Sequence, residues 1–262
     1  NILNIGRIKL AGGVLGGAKK AVTQSVVYAN ERSQFGRAIA KYGAIRYKLA
    51  EQAIQCYTLE AGVYRVAHDI DVLMQAMIAA GKTKEEATLK GIEEYAAECA
   101  LLKVAGSETL DYCIDEAVQI HGGMGYSAES MVERGYRDSR INRIFEGTNE
   151  INAMLAVGEL SKRALQTKEL DLMGAGKKIP SFILSQINPF RSTADAKEQL
   201  RILQGLKNTF LFVTGAAGKH FKKKLVDEQE IIMHLSTILQ ETFVAECAYL
   251  KVQKLSKKAN VD

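Results

Sequence analysis

The chain has 262 residues, 47% of them apolar, with two prolines, no tryptophan and a formal net charge of +5. That length suffices for a substantial core in one or two domains, and no apolar run approaches the roughly 18 residues a membrane span requires. Cys56, Cys99, Cys113 and Cys247 form no C-x-x-C pair, which argues against a disulfide framework and for small buried hydrophobes in a reducing compartment.

Abundant Ala, Leu, Glu and Lys favour helix over sheet, so the expected fold class is all-α. Residues 1–165 hold 20 Lys/Arg against 20 Asp/Glu and residues 166–262 hold 15 against 10, so the basic excess belongs to the tail. No nucleic-acid partner is expected, since little aromatic interleaving or binding motif accompanies that charge. Asn1-Ile2-Leu3-Asn4 shows neither an initiator Met nor the charged and apolar regions of a signal peptide. It runs straight into a helical pattern, which suggests a piece of a longer polypeptide.

From Ile5 to about Arg32, apolar residues at Ile8, Ala11, Leu15, Ala18, Val22 and Ala29 keep the three-and-four spacing of an amphipathic helix. Gly12, Gly13, Gly16 and Gly17 weaken it, which implies either close helix packing or room for a ligand. Gln34-Phe35-Gly36-Arg37 interrupts the pattern. A long core helix then carries Ile45, Leu49, Ala53, Cys56, Leu59, Val63, Val66, Ile70, Leu73 and Met77 on one stripe. Gly81 ends it, and Thr83 with Glu86 forms a capping box for the next helix. A third long helix is expected to place Ile92, Ala96, Cys99, Leu110, Ile114 and Ala117 inward and to end at His121-Gly122-Gly123.

Short loops between such helices predict an antiparallel four-helix bundle over residues 1–165, the fourth helix running from Thr148 to about Leu165. Between the third and fourth lies an irregular segment, 122–147, around a short helical piece from Ser130 to Arg140. A connection this long inside a compact bundle is more often functional than idle. It delivers one carboxylate, Glu146, between Phe145 and Gly147 just before a helix. Glycine opens the backbone to close approach by a ligand, and Ile144 with Phe145 would lower the polarity around a base. A capping or salt-bridging carboxylate fits the same spacing.

After Leu165, Gly174 to Pro180 and Asn188-Pro189 punctuate a linker. Two further amphipathic helices, about Thr193–Lys219 and Leu225–Lys258, form a second, smaller helical unit over 166–262. The run Lys219-His220-Phe221-Lys222-Lys223-Lys224 between them is either a solvated connection or a peripheral contact with an anionic membrane surface. No Glu-x-x-His pair accompanies His68, His121, His220 or His234, so no di-iron site and no metal is expected.

Three blocks carry a resemblance that periodicity does not supply: Asn30-Glu31-Arg32-Ser33-Gln34-Phe35-Gly36; Val118-Gln119-Ile120-His121-Gly122-Gly123-Met124-Gly125; and Arg137-Asp138 with Arg143-Ile144-Phe145-Glu146-Gly147-Thr148-Asn149-Glu150-Ile151. Their order and spacing resemble the C-terminal helical domain of acyl-CoA dehydrogenases. Ile2-Leu3-Asn4-Ile5-Gly6-Arg7 and the added helical tail are most similar to the very-long-chain group.

The resemblance implies an FAD-dependent oxidoreductase of fatty acid β-oxidation that desaturates long-chain acyl-CoA. Glu146 would be the base that removes the α-proton, its own backbone N–H helping to polarise the thioester carbonyl. Asn4, Arg7 and Gly147 would lie at the substrate. Arg32, Gln34 and Phe35 would contact the FAD of a partner subunit, Gln119, Gly122 and Gly123 its adenosine end, and Thr148 and Glu150 the flavin beside the base. Some relatives keep their base immediately before the first-helix arginine; here that position is Gly6, which leaves Glu146 as the sole candidate. The resemblance also implies a homodimer, an electron-transfer flavoprotein as electron acceptor, and a bacterial cytoplasm or, in a eukaryote, the mitochondrial matrix or inner-membrane surface. The family's N-terminal helical and middle β-domains are absent from the chain, so the fragment by itself is expected to bind FAD poorly and not to turn over. The alternative is a docking or respiratory-complex assembly module built on the tail.

Overall fold

A computed structural model describes residues 2–167 and 196–259, which are helical apart from short connections and one two-stranded hairpin. The chain divides into two compact units, Asn1–Asn149 and Glu150–Asp262.

The first unit is built on α1 (Ile2–Glu31), α2 (Gly43–Ala79) and α4 (Ala96–His121). Side-chain contacts fix their directions. Lys19 pairs with Glu60 while Ser25, further along α1, meets Gln52, and Lys48 pairs with Glu116 while Gln52 meets Cys113, so α2 runs antiparallel to both of the others. Along α1 and α4, Ala11 and Val14 lie against Gly106, Gly17 against Leu110, and Tyr28 stacks on His121, so these two are parallel. The shared core comprises Val14, Ala18, Ala21, Cys56, Leu110, Cys113, Ile114, Ala117 and Val132.

The helices depart from the expected pattern at several places. The expected third helix is two: α3 (Lys84–Glu94) ends at Tyr95, whose carbonyl already accepts from Cys99 N at 2.9 Å to open α4. Neither Gly nor Pro marks this break. It is tertiary, since α3 folds back on α2 with Gly91 against Met74 and Ile70 while α4 follows α1. The capping box is present: Glu86 N donates to Thr83 Oγ1 at 3.2 Å and Thr83 N to Glu86 Oε2 at 3.3 Å. In α2, Ala53 is exposed and Gln52 takes the inward place, its Nε2 donating to Cys113 O at 2.7 Å.

The glycine quartet of α1 is not where the helices meet. A Cβ at Gly12, Gly13 or Gly16 would touch nothing, and only Gly17 faces a neighbour, Leu110. The close approach is made from the other side by Gly106, where a Cβ would sit 2.9 Å from Val14 Cγ2 and 3.3 Å from Ala11 Cα.

Two connections, one after α1 and one after α4, position the site. Ser33–Gln34 (β1) and Arg37–Ala38 (β2) pair antiparallel around Phe35 and Gly36, both with positive φ (51° and 86°), as a two-residue hairpin turn demands. After α4 come α5 (Gly123–Tyr126) and α6 (Met131–Arg140), the latter capped by Ser130 Oγ accepting from Val132 N. A 3₁₀ turn, Ile141–Arg143, then leads into the Glu146 bend.

In the second unit, α7 (Asn149–Thr167), α8 (Ala196–Phe221) and α9 (Gln229–Ala259) contribute to a core of Val157, Phe210 and Leu235. The apolar face of α7, just past the division at Asn149/Glu150, joins that core. The expected linker from Gly174 to Pro189 lies outside the described residues. The lysine run forms partly the end of α8 and partly a 3₁₀ turn over Lys222–Asp227. Among the described residues no helix is long and apolar enough to cross a membrane.

Candidate active site

Glu146 and Gly147 are consecutive left-handed residues, with φ of 59° and 83°. For glycine this costs little, but a glutamate there is strained by about 1 kcal/mol or more and persists only where its surroundings hold it. The bend turns the half-buried Glu146 side chain onto the first helix. A Cβ added at Gly6 would overlap Glu146 Cδ and both carboxylate oxygens, so the carboxylate lies directly over the Gly6 backbone.

From that point a cleft of about 780 Å³ runs along α1. Gly6, Leu10, Gly13, Val14, Gly17 and Ala21 line one wall, Leu110 and Ile114 of α4 another, and Met131, Val132 and Gly135 of α6 a third; Glu146 and Phe145 close one end. Gly6 to Gln24, the extent of the cleft on α1, spans about 27 Å at the α-helical rise. Of the α1 glycines that meet no other helix, Gly13 therefore has a use: with Gly6 it leaves this wall without side chains.

Asn4 and Arg7, expected at the substrate, are 6% and 4% exposed and do not line the cleft. Arg7 Nη1 donates to Asn4 Oδ1 at 2.6 Å, and Arg7 Nε is buried without a hydrogen-bond partner. Burial depresses the Arg7 pKa, while Cys99 and Glu146 act in the opposite direction, favouring the cation. Arg7 is thus close enough to Glu146 for the two charges to interact. Ile144 and Phe145 are 48% and 45% exposed, so they do not enclose the carboxylate as their positions in the sequence suggested.

The residues expected at the cofactor fall into two groups. Thr148 and Glu150 follow Glu146 in the chain, Glu150 in the first turn of α7. Arg32, Gln34, Phe35, Gln119, Gly122 and Gly123 gather at the other end of α1, because Tyr28 stacks on His121 with ring centroids 4.1 Å apart. Gly6 and Tyr28 are separated by about 33 Å of continuous helix. At the far end Arg32, Gln34 and Gln119 are exposed and Phe35 is 92% exposed at its hairpin tip. Gly122 has φ 60°, and a Cβ at either Gly122 or Gly123 would meet nothing. A guanidinium fork, an aromatic face and an uncovered backbone suit a phosphate-linked aromatic cofactor bound from outside the chain.

Sequence reading missed what holds these pieces. Tyr42 Oη donates to the carbonyls of Gln34 and Phe35 (3.0 and 3.2 Å), and the Arg37 guanidinium sits 4.0 Å from its ring centroid. Lys103, wholly buried, donates through Nζ to Asn149 Oδ1 at 2.8 Å. The only sequence signal for it is a lysine inside the apolar run Leu101-Leu102-Lys103-Val104-Ala105.

The family model of the acyl-CoA dehydrogenase C-terminal domain matches residues 1–160, and a second model of the same description matches residues 205–261. A probable acyl-CoA dehydrogenase of Bacillus subtilis is 39% identical over 254 residues, covering 97% of this chain and 43% of the relative. The mitochondrial very long-chain specific acyl-CoA dehydrogenase of Homo sapiens is 31% identical over 261 residues, 94% of this chain and 35% of the relative. Among solved structures, an acyl-CoA dehydrogenase from Bacillus anthracis complexed with FAD superposes with a TM-score of 0.83 at 39% identity, over 98% of this chain and 43% of that one. The chain thus spans less than half the length of these relatives, and it belongs to the acyl-CoA dehydrogenase family, matching its C-terminal domain.

Proposed function

We propose that this chain provides the base and one wall of the acyl pocket in an FAD-dependent acyl-CoA dehydrogenase that desaturates long-chain acyl-CoA. The carrying observation is the Glu146 carboxylate lying on the bare backbone of Gly6 at the end of a cleft lined mainly by apolar residues and glycines, with Lys9, Lys20, Arg134 and Asp138 also on it. Glu146 receives the α-proton on a carboxylate oxygen. Its backbone N–H, presented by the left-handed bend, supports the thioester oxygen as charge builds there, since neither a carboxylate alone nor a single donor makes an α-carbon acidic enough.

FAD, present in the Bacillus anthracis relative, supplies the acceptor for the hydride that leaves the β-carbon. When FAD is bound, Thr148 and Glu150 would stand beside the flavin of the same subunit, and the Arg32 hairpin with Gln119, Gly122 and Gly123 would hold the cofactor of a second copy, so that a homodimer is the working unit. The long acyl chain follows from the cleft, whose glycine wall continues well beyond Glu146. An electron-transfer flavoprotein as acceptor, and inactivity of this chain on its own, rest on the family resemblance.

The test is the full-length parent protein with Glu146→Gln, assayed on acyl-CoA of graded chain length with an artificial electron acceptor. Loss of a positioned general base costs on the order of 100-fold to 10,000-fold. A rate within about threefold of wild type, less than roughly 0.7 kcal/mol in the barrier, overturns the assignment.

A further inference from the structure

One face of α4 carries Lys103, Ser107 and Asp111 at four-residue spacing, and all three grip the segment around Glu146. Upstream, Arg143 Nη2 meets Asp111 Oδ1 at 3.2 Å. Downstream, Asn149 Oδ1 accepts from Lys103 Nζ at 2.8 Å and lies 3.1 Å from Ser107 Oγ. Arg143 and Asn149 stand three residues either side of Glu146. The held residues flank the two left-handed positions, Glu146 and Gly147.

From this juxtaposition the geometry points to Lys103, Ser107 and Asp111 as positioning residues for the reaction: a staple on α4 that holds both shoulders of the bend and so keeps the Glu146 carboxylate over Gly6. The inference rests on Glu146 being the base. Burying a whole ammonium is costly unless its donors are used, and an amide oxygen offers a neutral, directional acceptor that fixes Asn149 at the start of α7. Strain at a non-glycine left-handed residue persists only where neighbours over-determine it, and here one rigid element, α4, restrains both flanks of the bend. That element is itself immobilised, since Gly106, between Lys103 and Ser107, packs α4 against the backbone of α1. The wall bearing Gly6 and the staple bearing Glu146 are thus one body, so the carboxylate's aim is set without any residue of the staple touching substrate.

The experiment uses the full-length holoenzyme with Lys103→Met, Asp111→Asn and, as a reference, Glu146→Gln. The first readout is exchange of the α-hydrogen with deuterated water on a 3-thia acyl-CoA, which has an acidic α-position and no β-hydrogen to give, normalised to bound flavin. The second is amide hydrogen exchange over residues 141–149. Both staple variants are expected to slow α-exchange at least tenfold, with the half-saturating acyl-CoA concentration within threefold, and to speed amide exchange in that peptide. A purely structural role predicts lower melting temperature and flavin content with α-exchange per flavin unchanged, and that result overturns the staple. Should Lys103→Met fail to fold, Asp111→Asn, at the partly exposed pair, decides alone. If Glu146→Gln abolishes exchange while the staple variants match wild type, only the staple falls; if Glu146→Gln exchanges like wild type, the base assignment falls and takes the staple with it.

Discussion

Gly6 and Glu146, 140 residues apart in the chain, occupy adjoining space: any side chain at position 6 would overlap the glutamate's carboxylate. The overlapping atoms are the far end of a flexible side chain, so substitution moves the carboxylate rather than the helix. Gly6→Ala is therefore expected to lower turnover of the full-length enzyme at least tenfold. Its melting temperature should hold or rise, because alanine within a helix gains about 1 kcal/mol over glycine. Steady-state rates and thermal unfolding on the same preparation check both halves, and full activity in the variant contradicts the contact.

How much of this was legible in the sequence depends on the range of the interaction. The stripes of α1 and α2 and the caps of α3 and α6 are local, and Thr83 with Glu86 or Ser130 with Val132 announce themselves within three residues. The break at Tyr95 and the hairpin at Phe35 are not local, since the first is imposed by α3 folding onto α2 and the second is braced by Tyr42. Glu146 could be singled out by motif, but its left-handed backbone and its seat on Gly6 belong to a contact between distant segments. Arg7 could likewise be singled out by motif, but its burial beside Asn4 is set by packing.

Gly106 and Gly16 are expected to respond oppositely to alanine. At Gly16 nothing lies near the new methyl, so Gly16→Ala should stabilise the protein by about 0.5–1 kcal/mol through propensity and unfolded-state entropy. At Gly106 the methyl meets Val14 and the backbone of Ala11, and overpacking of this kind costs about 1–3 kcal/mol. Urea unfolding of the two variants beside wild type checks the signs, and a stabilised Gly106→Ala contradicts the tight α1–α4 approach.

Cys99 makes stability fall at alkaline pH. Burial pushes its thiol up to about 12, Glu98 adding to the rise and Arg7 opposing it. Because the folded value exceeds the unfolded one, the unfolded state loses its proton first as pH rises. The contribution is then complete below the ordinary thiol range near 8.5 to 9 and is lost towards 12, at roughly 1.4 kcal/mol per pH unit. Urea midpoints at pH 8 and pH 10.5 should fall more steeply for wild type than for Cys99→Ala, and parallel slopes would exclude this group as the cause.

Gly13 is the place to test whether the cleft measures acyl length. It lies two helical turns beyond Gly6 on the cleft wall, and open space stands above it. A leucine there, Gly13→Leu, fills the groove beyond the reacting end while leaving Gly6, Glu146 and the α4 contacts untouched. Short thioesters reach only the part of the cleft near Glu146, so butyryl-CoA should keep its kcat/KM within about threefold. If the cleft holds the acyl chain as proposed, palmitoyl-CoA passes Gly13, and with the groove blocked its methylenes lose their wall, each worth about 0.8 kcal/mol when buried. A fall of at least tenfold in kcat/KM for palmitoyl-CoA relative to butyryl-CoA is therefore expected, since two lost methylenes already exceed the roughly 1.4 kcal/mol that a factor of ten requires. Parallel losses for both substrates would mean that the substitution disturbs the reacting end, and an unchanged ratio would mean that the acyl chain leaves Glu146 by another route, away from the glycine wall of α1.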